Sequence, residues 1–403
     1  MNIFVAILGL GFLVLIHEAG HFFTARAVGM SPRKFYIGFP PALVKTRRRG
    51  IEYGIGAIPL GGYVKIPGMH RPAPSDVDMY FGLALTEEPS LLSIIERLKQ
   101  RLLDGDMPGA RACVPELGAA VAAANLSPRA EKAAERGVRE LSDGLGDDAY
   151  WRQRAWKKVA VIFAGPGANL VLAFLLFAGL YMMSGGPVKP TTVSVEEDFP
   201  AAAAGLRAGD TIIGINGSAV RADDISDRIA ASNGQPITLT VERDGRVRDV
   251  GPITPRRDGE RYRVGFSLDS EGLGLGTAAW RALRLTGIVT KEIGASLTRL
   301  LRGEGREDVA SPVGIVQGSS EAIERGTETY LWVLGLLSLS LALLNLLPLL
   351  PLDGGHIAFS VVEGIRGRSV GREIYERVSA VGIALVLLLF FVGLTNDVGR
   401  ISD

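Results

Sequence analysis

Three ionisable side chains in the sequence His17-Glu18-Ala19-Gly20-His21 have the types and spacing needed to activate a water molecule. Residues i and i+4 of an α-helix lie on the same face, so both imidazoles can bind one zinc ion while the adjacent carboxylate handles the water proton. The chain has only 4 histidines among 403 residues, which makes a chance match to this HExxH pattern rare. The pattern therefore predicts a zinc-dependent hydrolytic site, with His17 and His21 as ligands and Glu18 as the general base.

The HExxH pattern lies in an otherwise uncharged apolar stretch, from Ile3 to Ala25. A charge at the centre of a membrane-spanning helix is unfavourable by roughly 2.5–3.5 kcal/mol on insertion scales, so ionisable residues there are usually functional. One alternative is a pair of core histidines with satisfied hydrogen bonds. A cleaved signal peptide is a second alternative, but no basic residue precedes the stretch and no small-x-small cleavage site follows it.

A catalytic zinc site needs a third protein ligand, and Asp353 is the natural candidate. It follows an apolar stretch that contains Pro348 and Pro351, in the sequence from Asn345 to Gly355. The two prolines should break a helix inside the membrane, where irregular backbone is tolerated only if it is buried in protein or lines a wet cavity. From its spacing alone, Asp353 could also be a helix cap at the membrane border.

The composition excludes several other classes of protein. The 44 basic and 43 acidic residues give a formal net charge of +1, so a nucleic-acid partner is not expected. The apolar fraction of 47% and the mean hydropathy of +0.23 indicate membrane spans. The single cysteine, Cys113, excludes an intrachain disulfide and a cysteine-based zinc finger. Any metal site must therefore use histidines and carboxylates.

Four apolar stretches are long enough to cross a bilayer, which requires about 20 residues. Besides the HExxH stretch, they run from Val159 to Val188, from Tyr330 to Leu352 and from Val378 to Asn396. We therefore predict a polytopic α-helical membrane protein with four transmembrane helices and one inserted small α+β domain.

The distribution of basic residues predicts the orientation of these helices. Residues 26–49 carry seven basic residues and no acidic one, and four more basic residues lie between residues 152 and 158. The positive-inside rule places both segments in the cytoplasm. The N-terminus, the segment 189–329 and the C-terminus are then extracytoplasmic, and the HExxH pattern lies toward the cytoplasmic end of its span.

Residues 191–265 have the pattern of a small β-rich domain. Apolar and polar residues alternate from 237 to 242, which is typical of a half-buried strand, and Asp244-Gly245 follows as a hairpin turn. The sequence from Pro200 to Gly217, which ends on an Asn-Gly turn, resembles a PDZ domain of the bacterial protease type. Such domains bind extended peptides along an exposed sheet edge. Another small β-rich fold is the alternative.

Three other segments have recognisable patterns. Residues 70–150 carry 14 acidic and 9 basic residues and predict a helical platform in the cytoplasm, with Ser127 as an N-cap and Pro128 at a first helical position. The glycine-rich, β-branched segment from Gly54 to Ile66 indicates a hairpin. Residues 277–302 fit an amphipathic helix on the outer membrane face, or a core-facing soluble helix.

Taken together, these motifs resemble those of the site-2 protease family. The HExxH pattern lies in the first span, Asn345-x-x-Pro-x-x-x-Leu-Asp-Gly354 in the third, and Gly165-Pro166-Gly167-Ala168-Asn169 in the second. The resemblance is strongest to bacterial members that cut anti-sigma factors in regulated intramembrane proteolysis. It covers nearly the whole chain except residues 70–150.

The resemblance implies two sets of site residues. The zinc site would use His17, His21 and Asp353 as ligands and Glu18 as the general base. The substrate-binding residues would be Asn169, Asn345, Gly61 and Gly62, of which the two glycines belong to a membrane-associated hairpin that pairs with unwound substrate. His70 and His356 have no implied role, and His356 is either a polar boundary residue or a hydrogen-bond partner of the zinc site.

The resemblance also implies an activity and a location. The protein would be a multi-pass zinc metalloendopeptidase of the inner (plasma) membrane, embedded in the lipid bilayer. It would cleave single-span membrane proteins, such as pre-cleaved anti-sigma factors, within or near their transmembrane segments. The alternative is a catalytically silent membrane adaptor that carries a PDZ domain. Two features depart from the family pattern, because the insert 70–150 is long and a second PDZ domain is missing.

These interpretations divide the chain into eight segments. They are transmembrane helix 1 (1–25), a cytoplasmic loop with the hairpin (26–69), the helical insert (70–150), transmembrane helix 2 (156–188), the PDZ-like domain (189–270), an extracytoplasmic amphipathic helix and loop (271–329), transmembrane helix 3 (330–355) and transmembrane helix 4 (378–396).

Overall fold

The computed structural model describes residues 1–186, 188–258, 261–367, 370 and 372–402. The chain forms two compact units. The larger unit comprises Met1–Ala173 and Val289–Asp403, and the smaller unit comprises Phe174–Ile288. Residues 259 and 260, which lie in the segment assigned to the PDZ-like domain, are outside the described residues.

The first half of the chain contributes one long helix, two strands, four insert helices and a second long helix. In chain order they are α1 (Asn2–Ala27), β1 (Lys34–Arg48), β2 (Ile51–Lys65), α2 (Pro74–Glu87), α3 (Leu92–Leu103), α4 (Met107–Ala123), α5 (Pro128–Leu145) and α6 (Ala155–Ser184).

A group of short elements follows, and five longer helices complete the chain. In order they are β3 (Val188–Val195), α7 (Pro200–Ala203), β4 (Thr211–Ile215), β5 (Ser218–Ala219), α8 (Ile225–Ala230), β6 (Ile237–Arg243), β7 (Arg246–Ile253), β8 (Arg256–Asp258), β9 (Arg261–Arg263), β10 (Phe266–Ser270), α9 (Leu275–Leu301), α10 (Pro312–Glu324), α11 (Thr327–Asn345), α12 (Asp353–Arg366) and α13 (Arg372–Ser402).

Among the described residues, four helices are long and apolar enough to cross a membrane. They are α1, α6, α11 and residues 374–400 of α13. Large apolar side chains such as Phe12, Leu175 and Leu387 are exposed on these helices. Apolar patches of this kind are rare on proteins surrounded by water and are normal where lipid covers the surface. The four long apolar helices are therefore consistent with the predicted polytopic membrane protein.

Strands β1 and β2 form one antiparallel sheet, and the first residues of β1 have a partner on both sides. Residues 34–37 of β1 pair with 52–55 of β2 on one side and with 62–65 of β2 on the other. We call residues 62–65 the edge segment, because no strand within the described residues pairs with its outer side. Apart from the backbone of Val64, which faces Glu18, the backbone groups on this outer side are a template for another extended chain.

The insert helices α2 to α5 enclose their own apolar core. Phe81, Leu98, Leu117 and Leu141 are fully buried in it. Helix α5 begins as the sequence predicts, since Ser127 is its N-cap and Pro128 occupies its first position. The insert is thus a folded helical platform that can hold α5 in a fixed place.

Helix α11 ends at Asn345 and α12 begins at Asp353, so residues 346–352 form a break between them. The prolines predicted to interrupt this helix, Pro348 and Pro351, both lie in the break. Asp353 is the first residue of α12, and Leu352 is its N-cap. The alternative in which Asp353 is a helix cap is therefore not what the structure shows.

The smaller unit contains an antiparallel sheet with the strand order β10-β3-β4-β6-β7, and β5 pairs with β4. Leu239 and Val241 of β6 are fully buried, as the alternation in the sequence predicts. Arg243 forms two hydrogen bonds with Asp210, at 2.6 and 2.7 Å. Burial alone would raise the pKa of Asp210. Hydrogen bonds from Arg243 and from the backbone N–H of Arg207 outweigh this effect, so the pKa of Asp210 lies below its usual value.

Candidate active site

Three ligand atoms from α1 and α12 form a nearly equilateral triangle. The Nε2 atoms of His17 and His21 are 3.2 Å apart, and they lie 3.1 and 3.3 Å from Oδ2 of Asp353. In a tetrahedral zinc site with bonds of about 2.0–2.1 Å, neighbouring ligand atoms are about 3.3–3.4 Å apart. The spacing of the three donors therefore fits a zinc ion.

The protonation of the triangle also fits a cation. Nδ1 of His21 lies 2.8 Å from the carbonyl oxygen of Val161, which can only accept a hydrogen bond. His21 therefore carries its proton on Nδ1 and presents a lone pair from Nε2, the arrangement found for metal-bound histidines. Oδ2 of Asp353 is also buried with no hydrogen-bond donor among the described residues. Acceptors at such short distances repel one another unless a cation lies between them.

The elements explain how the donors are brought together. The spacing of four residues puts His17 and His21 on one face of α1, and both side chains are buried. The break at residues 346–352 ends α11 and starts α12 with Asp353, which turns the carboxylate toward the two imidazoles. Among the described residues, no other group of three histidine, cysteine, aspartate or glutamate side chains has metal-binding spacing.

Glu18 lies beside this triangle and against the edge segment. The backbone of Val64 faces the Glu18 carboxylate. A Cβ atom added to Gly62 would lie 2.9 Å from Cγ of Glu18 and 2.7 Å from the carbonyl oxygen of Tyr36. Only glycine allows the edge segment to approach Glu18 this closely. The side chain of Glu18, the general-base candidate, therefore extends from α1 directly onto the edge segment.

A cavity of about 460 Å³ contains the triangle. Besides His17, Glu18, His21 and Asp353, its lining includes Gly61, Gly62 and Asn345, which the resemblance implied as substrate-binding residues. Asn169 is different. It is fully buried, and it does not belong to the lining of this cavity. Its carbonyl oxygen accepts a hydrogen bond of 2.9 Å from Ser338 of α11.

The two remaining histidines lie near the cavity and are not part of the triangle. His356 lines the cavity, and its Nδ1 is 2.7 Å from the hydroxyl oxygen of Tyr375. The rings of His70 and Tyr375 are 4.4 Å apart and edge-on. His356 is thus a polar wall residue with its own hydrogen-bond partner.

Helix α6 positions the ring of His21 through two contacts that the sequence did not reveal. One is the carbonyl of Val161, a backbone group that no sequence pattern marks. The other is Gly165, where an added Cβ atom would overlap the imidazole ring at Nε2. The Gly-Pro pattern in the sequence marks Gly165 as part of a motif, but it does not predict that this glycine contacts the ring of a candidate ligand.

Replacing Gly165 with Ala is expected to lower both the zinc content and the activity by about 10-fold or more, because the methyl group displaces the His21 ring from the triangle. Zinc per protein molecule can be measured by elemental analysis alongside the cleavage rate. The matched control is Gly179→Ala in the same helix, where an added Cβ meets nothing within 4 Å. Full zinc content and activity in Gly165→Ala would show that α6 does not hold the His21 ring.

Comparison with known proteins identifies the group to which the chain belongs. Residues 5–389 match the sequence profile described as peptidase family M50. The chain is 32% identical to zinc metalloprotease RasP of Geobacillus kaustophilus, over 97% of this chain and 96% of that protein. It is 29% identical to regulator of sigma-W protease RasP of Bacillus subtilis, over 97% and 96% respectively.

A second zinc metalloprotease RasP, from Shouchella clausii, is 27% identical over 96% of both chains. The match thus extends over the whole fold, including the spans, the insert and the smaller unit. It agrees with a donor triangle whose spacing and protonation fit zinc. The chain belongs to peptidase family M50, the site-2 protease family, and is a membrane-embedded zinc metalloprotease.

Proposed function

We propose that this zinc metalloprotease hydrolyses peptide bonds within or near the transmembrane segments of single-span membrane proteins. One observation carries the proposal: two of the three donors of the triangle lie in the apolar helix α1, beside a strand edge that pairs with no other strand among the described residues. A transmembrane helix hides its peptide bonds in its own hydrogen bonds. A site that offers replacement hydrogen bonds beside the catalytic groups can stabilise the unwound form of such a substrate.

In this proposal His17, His21 and Asp353 bind the zinc ion, and Glu18 is the general base. When bound, zinc activates a water molecule and polarises the scissile carbonyl. Glu18 accepts the water proton and later donates it to the leaving amine nitrogen. Val161 holds His21 in the tautomer that leaves Nε2 free, and both histidine side chains are buried where they line the cavity.

The edge segment would hold the substrate in an extended form. The backbone groups on its outer side can pair with a substrate strand, as in other cases of strand addition. Gly61 and Gly62 lack side chains that would block the approach, and Asn345 lies in the wall of the same cavity. The proposal assigns these three residues to substrate binding. For Asn169, whose side-chain amide is buried with no partner among the described residues, it assigns a supporting role at the α6–α11 contact.

We further propose that the protein lies in the inner (plasma) membrane with both termini outside the cytoplasm. The support is the run of basic residues from Arg26 to Arg49, which the positive-inside rule places in the cytoplasm. His17 and His21 are near the end of α1 that leads into this run. The cut would therefore fall in the half of the substrate helix that faces the cytoplasm.

Pre-cleaved anti-sigma factors are the substrate class we propose. The support is the name of the Bacillus subtilis relative, a regulator of sigma-W protease, together with a cavity sized for an extended chain rather than a folded domain. The alternative, a catalytically silent adaptor, has no need for Glu18 beside two donors that fit zinc. The geometry around Glu18 therefore favours an active enzyme.

The test compares the fragments of a single-span membrane protein produced in lipid vesicles by wild type and by Glu18→Gln. We expect the wild type alone to release a fragment whose new terminus maps to the cytoplasmic half of the transmembrane segment. Cleavage confined to soluble loops, or equal fragments from both proteins, would contradict the proposal.

The smaller unit supports a second proposal, that residues 191–265 form a PDZ-like domain that restricts access by substrates. Its sheet has open outer edges at β7 and β10 within the described residues, a form that suits strand addition by a peptide. In the chain it lies between two spans, on the side predicted to be external. A substrate with a bulky ectodomain would be excluded by such a domain, whereas a trimmed substrate would not.

Deleting residues 191–265 should therefore permit cleavage of an untrimmed substrate while trimmed substrate is still cut. If the domain instead recruits new chain ends, the same deletion should slow the cleavage of trimmed substrate. Fragment yields on a blot distinguish the two roles, and correct insertion of the shortened protein is the control. Unchanged behaviour of both substrates would exclude gating and recruitment alike.

A further inference from the structure

The helical insert is joined to the edge segment by a network of ion pairs that no part of the zinc chemistry explains. Nζ of Lys65, at the end of the edge segment, lies 2.7 Å from Oε1 of Glu140 and 3.5 Å from Oδ2 of Asp143. Arg33, just before β1, lies 2.7 Å from Asp143 and 3.0 Å from Asp148. Glu140 and Asp143 are on α5. This one insert helix therefore binds a cation just before β1 and a cation at the end of β2.

The network is continuous with the backbone of the sheet. The N–H of Arg33 donates a 2.7 Å hydrogen bond to the carbonyl oxygen of Lys65, which links the two cations through the main chain. The side chains of Arg33 and Asp143 are only 32% and 16% exposed. Partly buried, interlinked charges hold geometry better than isolated surface pairs, whose contribution is small.

Apolar packing between the edge segment and α5 is incomplete. A cavity of about 420 Å³ is lined by Tyr63, Val64 and Lys65 on one side and by Glu140 and Leu141 on the other. Tyr63 and Val64 also line the active-site cavity, so this stretch of β2 runs between two cavities. On its inner side the edge segment pairs with residues 34–37 of β1, but on the side that faces the insert few atoms pack against it, and there the ion pairs bridge the gap.

The position of α5, in contrast, is fixed by the core of the insert. Leu141 and Leu145 are 2% and 0% exposed, and Gly137 lets α5 pack directly against the ring of Phe81. The insert therefore provides a rigid support for the edge segment on the side away from β1.

We propose that the insert acts as a positioning element for the active site, with Glu140 and Lys65 as positioning residues that set the distance between the edge segment and Glu18. The proposal rests on the proposed function, in which substrate pairs with the edge segment. A shift of about 1 Å in a bound substrate can lower a rate by about 10²-fold. Displacing the edge segment would move the scissile carbonyl away from Glu18 by such amounts.

The test reverses one charge of the bridge in the full-length protein. Glu140→Lys places two cations together, and we expect kcat on a single-span substrate to fall by about 10-fold or more with zinc content and melting temperature unchanged. Lys65→Glu should do the same. The double variant, in which the two charges are exchanged, should recover part of the lost rate, because the 2.7 Å pair is restored in reverse while the attraction between position 65 and Asp143 stays lost.

Glu116→Lys is the matched control. Glu116 pairs with Arg97 at 2.6 Å within the insert, so this variant makes the same charge change without a bridge to the sheet. It should keep the wild-type kcat. Amide hydrogen exchange provides a readout that does not depend on turnover. Exchange at residues 62–65 should be faster in Glu140→Lys, normal in Glu116→Lys and partly restored in the double variant.

The outcomes separate this inference from the proposed function. If wild type cleaves no more than Glu18→Gln, the proposed function fails, while hydrogen exchange still tests the bridge. If wild type is active and Glu140→Lys has an unchanged kcat, the inference is wrong. A double variant as slow as the single variants, with exchange still fast, would also overturn it, since the loss would then not come from the broken pair.

Discussion

Glu18→Gln is expected to bind zinc at the wild-type level while kcat falls by about 10²–10⁴-fold, the usual contribution of a general base. Glutamine has nearly the same shape as glutamate, so it can occupy the space between α1 and Gly62 without disturbing His17 or His21. It cannot accept the proton of the attacking water or return a proton to the leaving amine. Zinc stoichiometry and kcat measured on the same preparation provide the check.

Glu324→Gln is a suitable control for Glu18→Gln, because Glu324 is on α10 and bonds to Asn2 in an exposed position. That variant should behave as wild type. Near-normal turnover by purified Glu18→Gln would remove Glu18 from the mechanism. Loss of zinc together with turnover would instead show that Glu18 supports the ligands rather than the proton transfer.

Asp353→Ala should lower zinc content and activity together, by roughly 10-fold or more, since even losses around a metal ligand have effects of that size. The variant removes the atom that completes the triangle, at 3.1 and 3.3 Å from the two imidazoles. Elemental analysis and a cleavage assay give the two readouts. The exposed Asp104, at the end of α3, provides a control as Asp104→Ala.

A different result for Asp353→Ala would require a different role for Asp353. If zinc and activity both survive, Asp353 serves only to start the helix, and the third ligand must come from elsewhere. Loss of activity with zinc retained would assign Asp353 to substrate contact.

The parts of the site that depend on short-range pattern could be predicted from the sequence. The spacing of His17 and His21 determines their common face on α1, and Pro348 and Pro351 determine where α11 must stop. Ser127 and Pro128 similarly mark the start of α5. In each case the physical cause acts within a few residues, so the signal is present in the local sequence.

Contacts between distant segments could not be predicted in this way. The carbonyl of Val161 that orients His21 is a backbone group, and any residue type would supply it. The pairing of residues 34–37 with two different parts of β2 depends on the bending of the sheet, which the glycine pattern does not specify. The bridge from Lys65 to Glu140 joins residues whose charges look like ordinary surface charges in the sequence.

The donor triangle also has a consequence for the order of events during synthesis. His17 and His21 are translated well before Asp353, which lies 353 − 21 = 332 residues after His21. At about 5–20 residues per second, the interval between them is roughly 15–70 s. A nascent chain with only two of its three donors should hold zinc weakly throughout that time. If Asp353 is the third ligand, the first cut has to wait until α12 is in place.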